Sequence, residues 1–161
     1  MTTIDNSKDT IIMKKIVRIL PILLIALAGS MLFWSCGDDD KDEPISYVNL
    51  PAQAKSFLEQ YFPSASVIST QKDGNEYEVT LSEGTRIDFN KDGEWIDVDA
   101  TIGKTIPSGF YPAAIDTYVS TNYTDDGINE ISKESRGYEV DLLKGAELIF
   151  NYEGTFVGFD N

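Results

Sequence analysis

Tyr77-Glu-Val-Thr-Leu-Ser-Glu-Gly-Thr-Arg-Ile-Asp-Phe-Asn-Lys-Asp-Gly-Glu-Trp95 is the stretch that decides how this chain folds. Tyr77, Val79 and Leu81 alternate with Glu76, Glu78 and Thr80, and a period of two predicts a half-buried strand. Glu83-Gly84 then turns the chain into a second strand, where Ile87 and Phe89 point one way and Arg86 and Asp88 the other. Asp92-Gly93 is a strong signal for a two-residue hairpin turn. Such a turn sets Asn90 across from Trp95 and Phe89 across from Ile96. Phe89, Ile96, Ile87 and Val98 then face the core, and Trp95, Asn90, Asp88 and Asp97 face the other way. A register error at the glycine would return Trp95 to the core, because a one-residue slip reverses every side chain.

The same pattern recurs further along. Residues 51–100 align without a gap on residues 112–161, so that Tyr77-Glu78-Val79 falls on Tyr138-Glu139-Val140, Phe89-Asn90 on Phe150-Asn151, and Gly93 on Gly154. By the same register the second copy buries Phe150, Val157, Leu148 and Phe159, and turns Phe156, Asn151, Ile149 and Glu147 outward. Each copy opens with a helix. Pro51 precedes Ala54, Phe57, Leu58, Tyr61 and Phe62 at helical spacing until Pro63, and Pro112 precedes Ile115, Tyr118, Val119 and Tyr123. These apolar stripes are expected to pack on a sheet. The predicted architecture is α+β: two tandem helix-plus-four-strand antiparallel units, 46–100 and 106–161, forming one sheet with the helices on one face, joined at Thr101–Ser108.

Upstream lies a different kind of sequence. Met13-Lys-Lys-Ile-Val-Arg18 leads an apolar run from Ile19 to Trp34 that ends at Ser35-Cys36 and opens into Gly37-Asp38-Asp39-Asp40. A basic head, a short apolar run and a small residue before a cleavage point describe a secretory signal, and the cysteine suggests lipid attachment. With Ile16-Val17 the run approaches the roughly 18 to 20 residues of a membrane span, but an acidic block follows it where a retained anchor usually carries cations. The ending resembles a bacterial lipoprotein box without the usual leucine three positions before the cysteine. The tract Asp38–Glu43 resembles the acidic signal that sends Bacteroidota lipoproteins to the outer face of the outer membrane, and it also reads as a solvated linker. Residues 1–35 are therefore expected to be an extension and signal peptide with its true start at Met13, and 36–45 an acidic linker. The expected location is the outer membrane, exposed on the cell surface, with the periplasmic face as the alternative, and with lipidation at Cys36.

Composition narrows the chemistry. Of 13 basic and 27 acidic residues, only Lys8, Lys14, Lys15, Arg18, Asp5 and Asp9 precede Cys36, so the mature chain carries 9 against 25, a balance of −16. Such a charge repels nucleic acid and anionic lipid headgroups. With a single cysteine there can be no internal disulfide, so a core must hold the domain. The absence of histidine removes Ser-His-Asp and Cys-His systems and nearly all zinc sites. Carboxylate pairs such as Asp88 and Asp97 could serve as acid and base only if their environments separate their pKa values, and a solvated sheet face suits that poorly. Asp88-Phe-Asn90-Lys-Asp92-Gly93-Glu94 also copies the start of a calcium-loop spacing with Asp99 in twelfth place. Strand-like flanks, the absence of a terminal glutamate and Ile149-Phe-Asn151-Tyr-Glu153-Gly154 in the second copy favour a plain hairpin. No metal or cofactor is expected.

The Pro-Ala helix, Lys72-Asp73-Gly74-Asn75-Glu76-Tyr77-Glu78-Val79, Gly84-Thr85-Arg86-Ile87-Asp88-Phe89 and Asp92-Gly93-Glu94-Trp95 together resemble the PepSY-like family of secreted bacterial proteins. Its members are similar in fold to the beta-lactamase inhibitor protein, whose tandem units share a concave sheet. The resemblance covers 47–161 and implies fold more than function. The expected function is a non-catalytic, lipid-anchored surface domain binding a protein or extended ligand through an open-face patch of Trp95, Phe156, Asp88, Asp97, Asn90 and Ile149. Inhibition of a secreted hydrolase is the alternative form, and a carboxylate enzyme the remote one.

Overall fold

Alternating apolar residues along eight segments build one antiparallel sheet, onto which both helices drop their apolar stripes. The computed structural model describes residues 43–160. Strand β1 is Glu43–Pro44, α1 Ala52–Tyr61, and β2 to β5 are Val67–Asp73, Glu76–Leu81, Arg86–Asn90 and Trp95–Asp99. Helix α2 is Ala113–Asn122, and β6 to β9 are Ile128–Glu134, Gly137–Leu142, Glu147–Phe150 and Phe156–Phe159. The nine strands lie side by side in chain order, every neighbouring pair antiparallel.

Cross-strand partners share a face, and one row crosses both units: Val79, Ile87, Val98, Ile131, Val140 and Leu148. All six are fully buried. The helices cover this side. Phe57 of α1 meets Phe89 edge-on at 5.6 Å, and Tyr118 of α2 meets Phe150 in the same way at 5.4 Å. Equivalent positions thus make equivalent contacts, as the alignment of the two copies predicts. Between the units, buried Asn129 is skipped in the β6–β7 register, and its Nδ2 donates to the carbonyls of Ala100 (3.0 Å) and Lys104 (2.8 Å). One residue before β6 and β7 pair without interruption, from Glu130 onward, the connecting loop is pinned back onto the sheet.

The hairpin register differs from the sequence expectation. Asn90 N–H donates to the Glu94 carbonyl (2.8 Å) and Gly93 N–H to the Asn90 carbonyl (2.9 Å). Asn90 Oδ1 accepts the main-chain N–H groups of Asp92 and Glu94, both at 3.0 Å. The loop therefore holds three residues, Lys91, Asp92 and Gly93, with Gly93 at φ +85°. Phe89 now faces Trp95, Ile96 is skipped as a bulge, and the expected pairing resumes at Asp88 and Asp97. The second unit repeats the arrangement: Asn151 Oδ1 accepts Thr155 N–H, Phe150 faces Phe156, Val157 is skipped, and Ile149 faces Gly158.

This corrects the placement of Trp95 and Phe156. Trp95 lies on the helix side, 7% exposed, with its ring 5.0 Å from Phe110, stacked on Tyr138, and capped by Lys133 Nζ at 4.2 Å. Phe156 is half-buried and stacks on Tyr118 at 4.5 Å. Conversely, Ile96 is only partly buried, and Val157 and Phe159 are exposed. The segment expected as linker also enters the sheet: β1 pairs with β2, and Ile45 N–H donates to the Thr70 carbonyl.

Candidate functional site

The face opposite the helices is assembled by register alone. One row runs Thr80, Arg86, Asp99, Glu130, Asp141 and Glu147, and the next Glu78, Asp88, Asp97, Ser132, Glu139 and Ile149. These twelve positions hold eight carboxylates and one base, Arg86. Several acids face each other directly: Asp88 and Asp97, Asp99 and Glu130, Glu130 and Asp141, Asp141 and Glu147. Like charges directly across a strand pair destabilise it, so the sheet holds this row at a cost.

Protons relieve part of that cost. Asp97 is pushed up to about 8, first by burial and then by Glu130, Asp88 and Asp99, against which Arg86 acts. Asp88 is pushed up to about 6, again first by burial, then by Glu78, with Arg86 opposing. Asp88 Oδ1 is buried and accepts no hydrogen bond among the described residues, which fits a carboxyl that gains by being neutral. Of the facing pair, Asp97 is pushed further toward its protonated form than Asp88. The expectation that this face is too wet to tune a carboxylate pair is corrected: both side chains are partly buried.

Of the six expected patch residues, Asp88, Asp97 and Ile149 lie on this face. Trp95 and Phe156 lie on the other side, and the Asn90 side chain is committed to its turn, with Nδ2 donating to Glu94 Oε2 at 3.1 Å. That turn also occupies the calcium-loop spacing: Asp88 and Asp99 sit in strands, and Asn90 Oδ1 serves main-chain N–H groups. Cys36 lies outside the described residues. Glu147 lies on this face as the register predicts, whereas Glu78, Asp99, Glu130, Glu139 and Asp141 were missed as face residues. The signal for them was present, because Asp97/Asp99 and Glu139/Asp141 are spaced two apart and must share a face with their neighbours. At the far end, carboxylate oxygens of Glu139, Glu147 and Asp160 lie within 4.8 Å of one another.

Two segments of the chain, 34–87 and 75–158, match the model of the family described as "beta-lactamase-inhibitor-like, PepSY-like". The chain belongs to the PepSY-like family. A crystal structure of a "putative calcium-regulated periplasmic protein" of Bacteroides thetaiotaomicron is 33% identical, with TM-score 0.70, covering 78% of this chain and 100% of the other. Two crystal structures from Bacteroides vulgatus, each described as a "putative periplasmic protein", have TM-scores of 0.70 at 32% and 28% identity. They cover 78% and 75% of this chain and 100% of their own. No curated protein matches the chain. The PepSY-like fold here is one open antiparallel sheet of nine strands with two helices.

Proposed function

We propose that this PepSY-like chain is a non-catalytic, lipid-anchored envelope protein whose acidic sheet face binds a positively charged protein or extended ligand. The observation that carries this is the row of mutually facing carboxylates Asp99, Glu130, Asp141 and Glu147, running from β5 to β8 across both units. A ligand bringing cations to that row relieves repulsion already present in the free domain, and the gain is greatest where side chains are partly buried. The family's likeness to an inhibitor protein and the lack of histidine support binding over catalysis. An exported location is supported by the leader pattern before Cys36 and by the periplasmic relatives. Inhibition of a secreted hydrolase would be one form of the same binding.

Pull-down from the native cell envelope tests it, with the chain and an Asp99→Asn/Glu130→Gln variant side by side. A partner retained by the first, lost by the second and eluted by salt is expected. Equal retention by both would refute the role of the face.

A second reading follows from Glu139, Glu147 and Asp160. Their oxygens are close enough to share one calcium ion, whose ligands lie about 2.3 to 2.6 Å from it, and one relative is described as calcium-regulated. Calcium there would neutralise the end of the acidic row and so tune what the face accepts. A calcium titration followed by calorimetry checks this, with Glu147→Gln expected to weaken the uptake.

A further inference from the structure

The two ends of the sheet are built differently. At one end β1 has two residues, one of them Pro44, which cannot donate to a further strand. The other end is β9, with the sequence Phe-Val-Gly-Phe and neither proline nor lysine to blunt it. Its counterpart in the first unit is β5. That strand accepts β6 on its outer side, with Asp97 facing Ser132, Val98 facing Ile131 and Asp99 facing Glu130. Under the alignment of the two copies, Gly158, Phe159 and Asp160 occupy the positions of Asp97, Val98 and Asp99.

The difference shows in burial. Val98 is 0% exposed beneath its neighbouring strand, whereas Phe159, facing Leu148 on the same side of the sheet, is 58% exposed. Val157 is exposed beside it. Among the described residues no strand pairs with the outer side of β9, so its main chain is available too. Asp160 N–H donates to the Glu147 carbonyl at 3.2 Å. Alternate pairs of an antiparallel ladder are bonded, so the N–H and C=O of Phe159 point away from β8. A terminal edge that had only to stay soluble would carry polar residues there.

We infer that the outer edge of β9 is a second binding site that takes an extended partner segment as a tenth strand, antiparallel to β9. The β5–β6 pairing supplies its template. An apolar, preferably β-branched, residue sits against Phe159 as Ile131 sits against Val98. The residue facing Asp160 falls beside Glu147 and Glu139 and is therefore lysine or arginine. Charge complementarity selects a basic partner over a second copy: with an apolar residue against Phe159, a second β9 would set Gly158 across from Asp160 and a second β1 would set Glu43 there, and neither supplies a cation. This site does not depend on the acidic face reading.

The test uses the full chain in nonionic detergent and a labelled synthetic peptide of alternating lysine and isoleucine. Its two controls are a counterpart with glutamate for lysine and a copy N-methylated on alternate residues. The lysine peptide is expected to bind, to lose about tenfold or more in affinity on N-methylation, and to weaken as salt rises, while the glutamate peptide does not bind. Phe159→Lys is expected to weaken the lysine peptide by about tenfold or more with an unchanged thermal melt, since the side chain is exposed. Asp99→Asn/Glu130→Gln leaves it unaltered, which separates the edge from the face. Absence of binding, indifference to N-methylation or indifference to Phe159→Lys would overturn the inference. So would a chain that sediments as a dimer dissociated by Phe159→Lys, because a second copy would then be the occupant.

Discussion

Asp97 stands directly across the β4–β5 ladder from Asp88, two carboxyls on one face with Asp99 and Glu130 beside them. Both carboxyls lie above their ordinary value of 3.8, at about 8 and about 6. The native state therefore binds more protons than the unfolded chain between about pH 4 and pH 8. Stability must fall as pH rises through that window, and the contribution is fully present only below the unfolded pKa.

Asp97→Asn removes the cost of ionising at that site. It should stabilise the domain at pH 8 by about 1 kcal/mol or more and flatten the pH dependence. Urea melts across the window check this, and a wild type that gains stability toward pH 8 would contradict it.

Trp95 is the hinge of a second prediction. Its indole is packed between Phe110 and Tyr138 under Lys133. Trp95→Ala should therefore destabilise the domain by about 3 to 5 kcal/mol, like Phe89→Ala and Phe150→Ala in the same layer. Its fluorescence should resist acrylamide in chain lacking residues 1–35, where it is the remaining tryptophan. Ready quenching, or a loss below about 1 kcal/mol, would place the indole outside the core.

Each hairpin glycine also supports a helix. A Cβ on Gly93 would lie 2.7 Å from Pro51 Cβ and 2.9 Å from Ala54 N, and one on Gly154 would lie 2.9 Å from Pro112 Cβ. Both have positive φ, so alanine meets backbone strain and a clash together. Gly103, at φ +82°, has open space around it and isolates the backbone cost. Gly93→Ala and Gly154→Ala should each cost about 2 kcal/mol or more, against about 1 for Gly103→Ala. Equal losses at all three would show that the helix contact contributes nothing.

Much of this was legible because period-two alternation and proline-led apolar stripes are local signals. Val79, Ile87, Phe89, Val140, Leu148 and Phe150 fall where those signals put them. The register past the turn was not legible, since it depends on Asn90 and Asn151 choosing a three-residue loop over a two-residue one. Their side-chain oxygens accept from main-chain N–H groups within and just past the turn, and nothing in Asp92-Gly93 reports that. One residue of difference reversed Trp95 and Phe156, and the bulges at Ile96 and Val157 then restored the rest. The acidic face was half visible, because the spacing within each strand gives its side but only the pairing of β5 with β6 joins the two units into a single row.

Lipid attachment at Cys36 is the last prediction, and its physical basis is arithmetic. A chain with a balance of −16 beyond that point is repelled by anionic headgroups, so membrane retention has to come from apolar chains, at about 0.8 kcal/mol for each buried CH₂. Cys36 is the single cysteine available for such a thioether. The wild type should fractionate with membranes, resist a salt wash and be shaved from intact cells by protease. Cys36→Ala should instead accumulate as unprocessed precursor or appear as released domain. A Cys36→Ala chain that is processed to mature length and still held by the membrane would show that another element anchors it.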